Sequence, residues 1–150
     1  MADKKEIIEN LTKSYWMEIE TVMNYLSNSV NLDGVRAEEI KKSLSADITE
    51  ELGHAQALAK RLKELGSTVP GSEHFKASQS KLQTREDTTD VVSVIDGVIA
   101  AEEGAIEQYN KIIKLCEGVD YVTQDLCIQH LADEESHKIE FVGFSKEYKK

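Results

Sequence analysis

Two stretches of this 150-residue chain set an acid and an imidazole at the same spacing: Glu51-Leu52-Gly53-His54 and Glu134-Glu135-Ser136-His137. A Glu three positions before a His puts both side chains on one face of a helix, about one turn apart. A single Glu precedes each pair at nearly the same distance: Glu18 lies 33 residues before Glu51, and Glu102 lies 32 before Glu134. Each of these has a Tyr seven residues on, Tyr25 and Tyr109. Four carboxylates and two imidazoles delivered by four helices make a carboxylate-bridged dinuclear metal site. Mixed oxygen and imidazole donors suit Fe, Mn or Zn better than Ca or Mg.

One Glu-x-x-His carries little weight in a chain with 28 acids, and His74 and His130 have no acid at that offset. The repetition in both halves is harder to meet by accident. Each of the six groups also replaces an apolar residue on a helical stripe that packing should fill. Four uncompensated buried carboxylates would cost many kcal/mol, and two divalent cations supply the compensation. The alternative is a partly open bundle in which the acids are solvated. Support around the ligands is legible too. A ligating imidazole usually gives its other N–H to a carboxylate, and Glu50 and Asp133 each stand one residue before a motif Glu. They are placed either to reach the imidazole of the opposite helix or to be ordinary surface acids. Tyr25 and Tyr109 either bond ligand carboxylates or are core tyrosines satisfied elsewhere.

The elements that must position these groups are four helices, expected at about 4–31, 36–65, 89–117 and 120–148. The first stripe is Ile7, Leu11, Tyr15, Glu18, Val22, Tyr25, and Asp3 with Glu6 forms a capping box before it. The second is Ile40, Leu44, Asp47/Ile48, Glu51, His54/Ala55, Leu58, Leu62, stopped by Gly66. The third is Val91, Ile95, Val98, Glu102, Ala105/Ile106, Tyr109, Ile113, Cys116, and the fourth Cys127, His130/Leu131, Glu134, His137, Phe141, Phe144, Tyr148. The short first link predicts an antiparallel hairpin. Residues 66–87 lose the helical period, and so long a link makes sense as a crossover running the length of the bundle, with the second and third helices parallel. His74 falls there with no acid on its face and is read as a non-ligand.

A net charge of −10 disfavours nucleic acid and anionic membrane as partners. No stretch approaches the roughly 20 apolar residues of a membrane span. No apolar run follows Met1-Ala2-Asp3-Lys4-Lys5, which sets the expectation of a cytoplasmic protein. Cys116 and Cys127 form no Cys-x-x-Cys, which excludes a rubredoxin-type or zinc-ribbon module in this chain. They are expected as buried, reduced thiols, a disulfide between two helix ends being the other reading. The residues alone assign no role to Cys116, Cys127 or His130.

The motifs Glu18…Tyr25, Glu51-x2-His54, Glu102…Tyr109 and Glu134-x2-His137, with the crossover, resemble the ferritin-like superfamily of di-iron carboxylate proteins. The likeness spans essentially the whole chain and is greatest to bacterioferritin and rubrerythrin-like single domains. It implies an all-α, antiparallel four-helix bundle forming one domain over residues 1–150. It implies two Fe ions (Mn or Zn being alternatives), one held by Glu18 and His54, the other by Glu102 and His137, with Glu51 and Glu134 bridging. The activity implied is that of a ferroxidase, oxidising Fe²⁺ with O₂ or H₂O₂ in iron storage or detoxification. A peroxidase, catalase or oxygenase using the same site is the alternative, and a non-enzymatic metal-binding bundle a third. Bacterioferritins bind haem through a Met directly after the second-helix Glu; Leu52 stands here, so no haem is expected at that position. The four-cysteine iron module of rubrerythrins is absent. The chain runs only 13 residues past His137, short of the fifth helix of large ferritin cages. A homo-oligomer is therefore expected, as a dimer or a 12-subunit cage. Dps proteins build the iron site between subunits, whereas this chain carries a full set of ligands.

Overall fold

The computed structural model describes residues 2–150 and contains four long helices: α1 (Lys4–Asn31), α2 (Glu38–Glu64), α3 (Val91–Cys116) and α4 (Tyr121–Tyr148). No strand occurs among the described residues. Asp3, Asp90 and Asp120 each accept from a backbone N–H in the first turn of α1, α3 and α4 (Glu6, Ser93, Thr123), satisfying donors that a helix start leaves free. α2 instead grows out of a 3₁₀ turn, Val35–Ala37, and so begins slightly later than its sequence pattern predicts. Gly66 and Gly118 follow α2 and α3 with φ of 84° and 71°, a left-handed conformation that stops a helix cheaply only with glycine.

Two apolar clusters fix the topology. One joins Tyr25 late in α1, Ile40 and Leu44 early in α2, Val91–Val98 early in α3 and Phe141 late in α4. The other joins Ile7 and Leu11 early in α1, Leu58 and Leu62 late in α2, Tyr109 and Ile112 late in α3 and Cys127 early in α4. The hairpin partners α1/α2 and α3/α4 are therefore antiparallel, while α2 and α3 run parallel. The segment between them spans the bundle from one cluster to the other. This is the expected four-helix bundle with a long crossover.

The burial of α1 differs from its sequence stripe. Tyr15 and Val22 are only half-buried, while Asn10, Ser14, Glu20, Thr21, Asn24 and Asn28 are buried. The crossover and α3 cover this second, polar face. Glu20 accepts from Ser78 N (3.0 and 2.9 Å), Ser78 Oγ (3.0 Å) and Gln79 N (2.8 Å). Asn24 donates to Gln79 Oε1 (2.9 Å), and Asn28 to the Leu82 carbonyl (3.0 Å). On the other side, a Cβ at Gly97 of α3 would stand 2.3 Å from the Lys81 carbonyl oxygen, so only glycine lets the strap lie this close. Glu20→Ala should cost about 2 kcal/mol, since bonds to a charged acceptor are lost and two backbone donors are stranded. Urea unfolding checks this, with faster amide exchange expected at Ser78 and Gln79. Unchanged stability and exchange would mean that Glu20 does not hold the strap.

Candidate metal centre

Between the two apolar clusters the helices turn Glu18, Glu51, His54, Glu102, Glu134 and His137 inward, each no more than 5% exposed. Their potential ligand atoms fall into two groups, Glu18/Glu51/His54/Glu134 and Glu51/Glu102/Glu134/His137, with the atoms of each within 4.8 Å of one another. Glu51 and Glu134 belong to both groups, the arrangement a pair of bridging carboxylates requires. His54 Nδ1 lies 2.9 Å from Glu134 Oε1, 3.5 Å from Glu18 and 3.8 Å from Glu51. His137 Nδ1 lies 2.9 Å from Glu51 Oε1 and 3.7 Å from both Glu102 and Glu134. The second set of contacts is the first rotated about a pseudo-twofold axis.

The outer nitrogens are held from across the bundle. His54 Nε2 meets Asp133 Oδ2 at 2.9 Å, and His137 Nε2 meets Glu50 Oε2 at 2.8 Å. With Nε2–H donated to a carboxylate, Nδ1 is the nitrogen that faces the centre and, once deprotonated, would offer its lone pair to a metal. The tyrosines cross over as well: Tyr25 donates to Glu102 Oε1 (2.5 Å) and Tyr109 to Glu18 Oε1 (3.0 Å).

Several inward atoms have no hydrogen-bond partner: Glu18 Oε2, Glu51 Oε1, Glu102 Oε2 and His137 Nδ1. The 2.9 Å approach of His137 Nδ1 to Glu51 Oε1 is thus a contact without hydrogen-bonding geometry. Buried lone pairs are ordinarily satisfied; here they converge on a common space, and the donor set is one that divalent transition metals accept. The centre fits divalent transition-metal ions.

Without cations, protons must hold these charges together. Burial, then repulsion from Glu51, pushes Glu18 well above the usual carboxylate range. Burial, then contact with Glu134, pushes Glu102 up to about 8. Glu51 is raised mainly by burial. Burial pulls the His54 and His137 imidazoles down, but the surrounding carboxylates outweigh it, and both end well above the ordinary value.

Two further residues border the centre, both on predicted inner stripes but without an assigned role. His130 stacks on His54 with ring centroids 4.2 Å apart, and its Nδ1 is 3.2 Å from Tyr109 Oη. Asp47 Oδ1 lies 3.7 Å from His137 Nε2, and burial lifts its carboxyl to about 6. The available signal was positional: each stands four residues before a motif Glu. His74 is exposed in a 3₁₀ turn of the crossover, away from the centre. Cys116 and Cys127 are free thiols buried in the core, and burial raises them to about 11 and 12.

The Ferritin family pattern, described as a ferritin-like domain, matches residues 8–146. A bacterioferritin from Desulfovibrio desulfuricans is 27% identical over 135 residues, covering 89% of this chain and 71% of that protein. A DNA protection during starvation protein from Pyrococcus furiosus is 26% identical over 142 residues, covering 93% and 76%. Among solved structures, the dodecameric thioferritin of Bacteroides fragilis superposes with a TM-score of 0.87 at 24% identity, over 98% of this chain and 88% of that one. The D. desulfuricans bacterioferritin, solved with its di-iron site in different catalytic states, gives 0.83 at 24% identity, over 97% and 81%. No helix among the described residues is long and apolar enough to cross a membrane.

Proposed function

Since the chain belongs to the Ferritin family of ferritin-like domains, we propose that its buried acid–imidazole cluster binds two iron ions. We further propose that the protein oxidises Fe²⁺ with O₂ or H₂O₂, in iron storage or detoxification. One observation carries this reading: four carboxylates and two imidazoles, nearly solvent-free, fall into two overlapping donor sets and leave Glu18 Oε2, Glu51 Oε1, Glu102 Oε2 and His137 Nδ1 without a hydrogen-bond partner. Two ferrous ions bound there supply one electron each, matching an oxidant that takes electrons in pairs. Glu51 and Glu134 span the two positions and fix their separation. Glu18 and His54 complete one position, and Glu102 and His137 the other. Tyr25 and Tyr109 hold the terminal carboxylates, while Glu50 and Asp133 set the imidazole tautomer. Leu52, partly exposed on α2, offers no thioether to a haem iron.

A cavity of about 240 Å³ lies between α1, the crossover and α3, lined by Met17, Leu82, Gly97, Ala100, Ala101 and Gly104. None of the six ligand groups lines it, so it gives an organic substrate no bed at the centre. Mixing protein loaded with two Fe²⁺ per chain against one equivalent of H₂O₂ should produce a near-ultraviolet ferric band in a single fast phase, with two irons oxidised per peroxide. A rate no faster than free Fe²⁺ would overturn the reading.

The surface leaves Met23, Leu26 and Val30 exposed at helical spacing along α1 (53%, 53% and 69%), a stripe suited to burial against another copy. We propose a homo-oligomer, a dimer or a 12-subunit cage, which native mass spectrometry reads directly; a monomer at micromolar concentration would contradict it. The two buried free thiols fit a reducing compartment such as the cytoplasm.

A further inference from the structure

Around the centre the halves match position for position: Glu18 with Glu102, Tyr25 with Tyr109, Glu50 with Asp133, Glu51 with Glu134, His54 with His137. At one place they differ. Four residues before the motif Glu, α2 carries Asp47 and α4 carries His130. Both are buried, and each lies against the imidazole of the opposite half.

We propose that this mismatch makes the two metal positions inequivalent, and that the position served by Glu102 and His137 is the tighter and fills first. The inference rests on the dinuclear reading above. The outer nitrogen of His137 faces two carboxylates, Glu50 at 2.8 Å and Asp47 at 3.7 Å. Carboxylates behind a ligating imidazole strengthen it as a donor, and their charge attracts the cation beyond it. Asp47 Oδ2 is buried with no partner, so the charge has little else to answer it. The outer nitrogen of His54 pairs with Asp133 at 2.9 Å, with a Glu50 oxygen farther off in the same 4.8 Å cluster. Where His137 has Asp47, His54 has the His130 ring against its face.

Asp47 and His130 act through the ligands and are positioning residues.

The test uses the full chain and Co²⁺, whose visible bands report each position as it fills. Two steps are expected, about 10-fold apart in affinity, the range that outer residues of metal sites command. Asp47→Asn should bring the steps together by weakening the tighter one. Asp47→Glu, which keeps the charge, should preserve the separation, and His130→Asp should tighten the weaker step. Crystals of the unaltered chain with one Co²⁺ per chain should show greater anomalous occupancy beside His137, a readout that depends on no variant folding. Equal occupancy, greater occupancy beside His54, or an unchanged separation in Asp47→Asn would overturn the proposal while leaving two-metal binding intact. Fewer than two Co²⁺ per chain would remove the dinuclear reading and this inference with it.

Discussion

Saturating divalent metal should raise the stability of the protein by about 8 kcal/mol, and Glu51→Ala should abolish most of that gain. Each ion at 1,000 times its dissociation constant contributes about 4 kcal/mol by mass action, provided it binds only the folded chain. Glu51 belongs to both donor groups, so its loss weakens both ions, whereas Glu18→Ala, touching one group, should forfeit about half. The metal-free proteins behave differently. Glu51 is a buried carboxylate with an unsatisfied oxygen, already pushed upward by burial. It also faces the raised His137 imidazole at 2.9 Å, so metal-free Glu51→Ala loses that pairing, leaves a small cavity, and should melt below the unaltered metal-free chain, with a further loss when metal is present. Thermal melts with chelator and with excess Zn²⁺ check both halves. A variant equally destabilised in both conditions would make Glu51 a structural residue.

Metal-free protein should lose stability as pH rises from about 5 past 8, and metal-loaded protein should not. Glu102 holds its proton up to about 8 in the fold but only to its ordinary value of 4.5 when unfolded. Between those values the native state binds more protons, so stability falls as pH rises, by about 1.4 kcal/mol per unit for each such group. His54 and His137 act in the same direction. Their folded values are raised, so their stabilisation is complete below the ordinary 6.5 and is lost as pH climbs above it. Charge balance explains the pattern. Protons on Glu102 and on the His54 and His137 imidazoles offset the buried carboxylates of the metal-free centre, and divalent cations would take over that role. Loading should therefore release protons at pH 7, those of Glu102, His54 and His137 among them, since metal ligands must be deprotonated. Urea midpoints between pH 5 and 8.5, with and without metal, and proton release in weak buffer measure the two effects. Metal-free stability that rises with pH would contradict the linkage.

The repeated Glu-x-x-His with its upstream Glu and Tyr was readable because a helix converts fixed spacing into a shared face, and six such groups interrupt apolar stripes. The structure brings all six together, and brings Glu50, Asp133, Tyr25 and Tyr109 onto the opposite half. The four helices were readable from their apolar stripes and end signals, and the parallel α2 and α3 from the link lengths. What escaped were contacts whose partners lie outside the helical period. Glu20 looks like a solvated acid off the α1 stripe, and only the path of the crossover buries it beneath Ser78 and Gln79. The polar face Asn10, Thr21, Asn24, Asn28 is covered for the same reason. His130 sits among apolar residues at helical spacing, where a histidine reads as core. Its meaning appears only when α4 is laid over α2 and Asp47 is found at the equivalent place.

Anaerobic titration of the metal-stripped chain with Fe²⁺, with bound metal counted per chain after desalting, tests the central claim most directly. The account predicts saturation at two Fe²⁺ per chain, falling to one or none in Glu51→Ala. Saturation of the unaltered chain at one or none would contradict it.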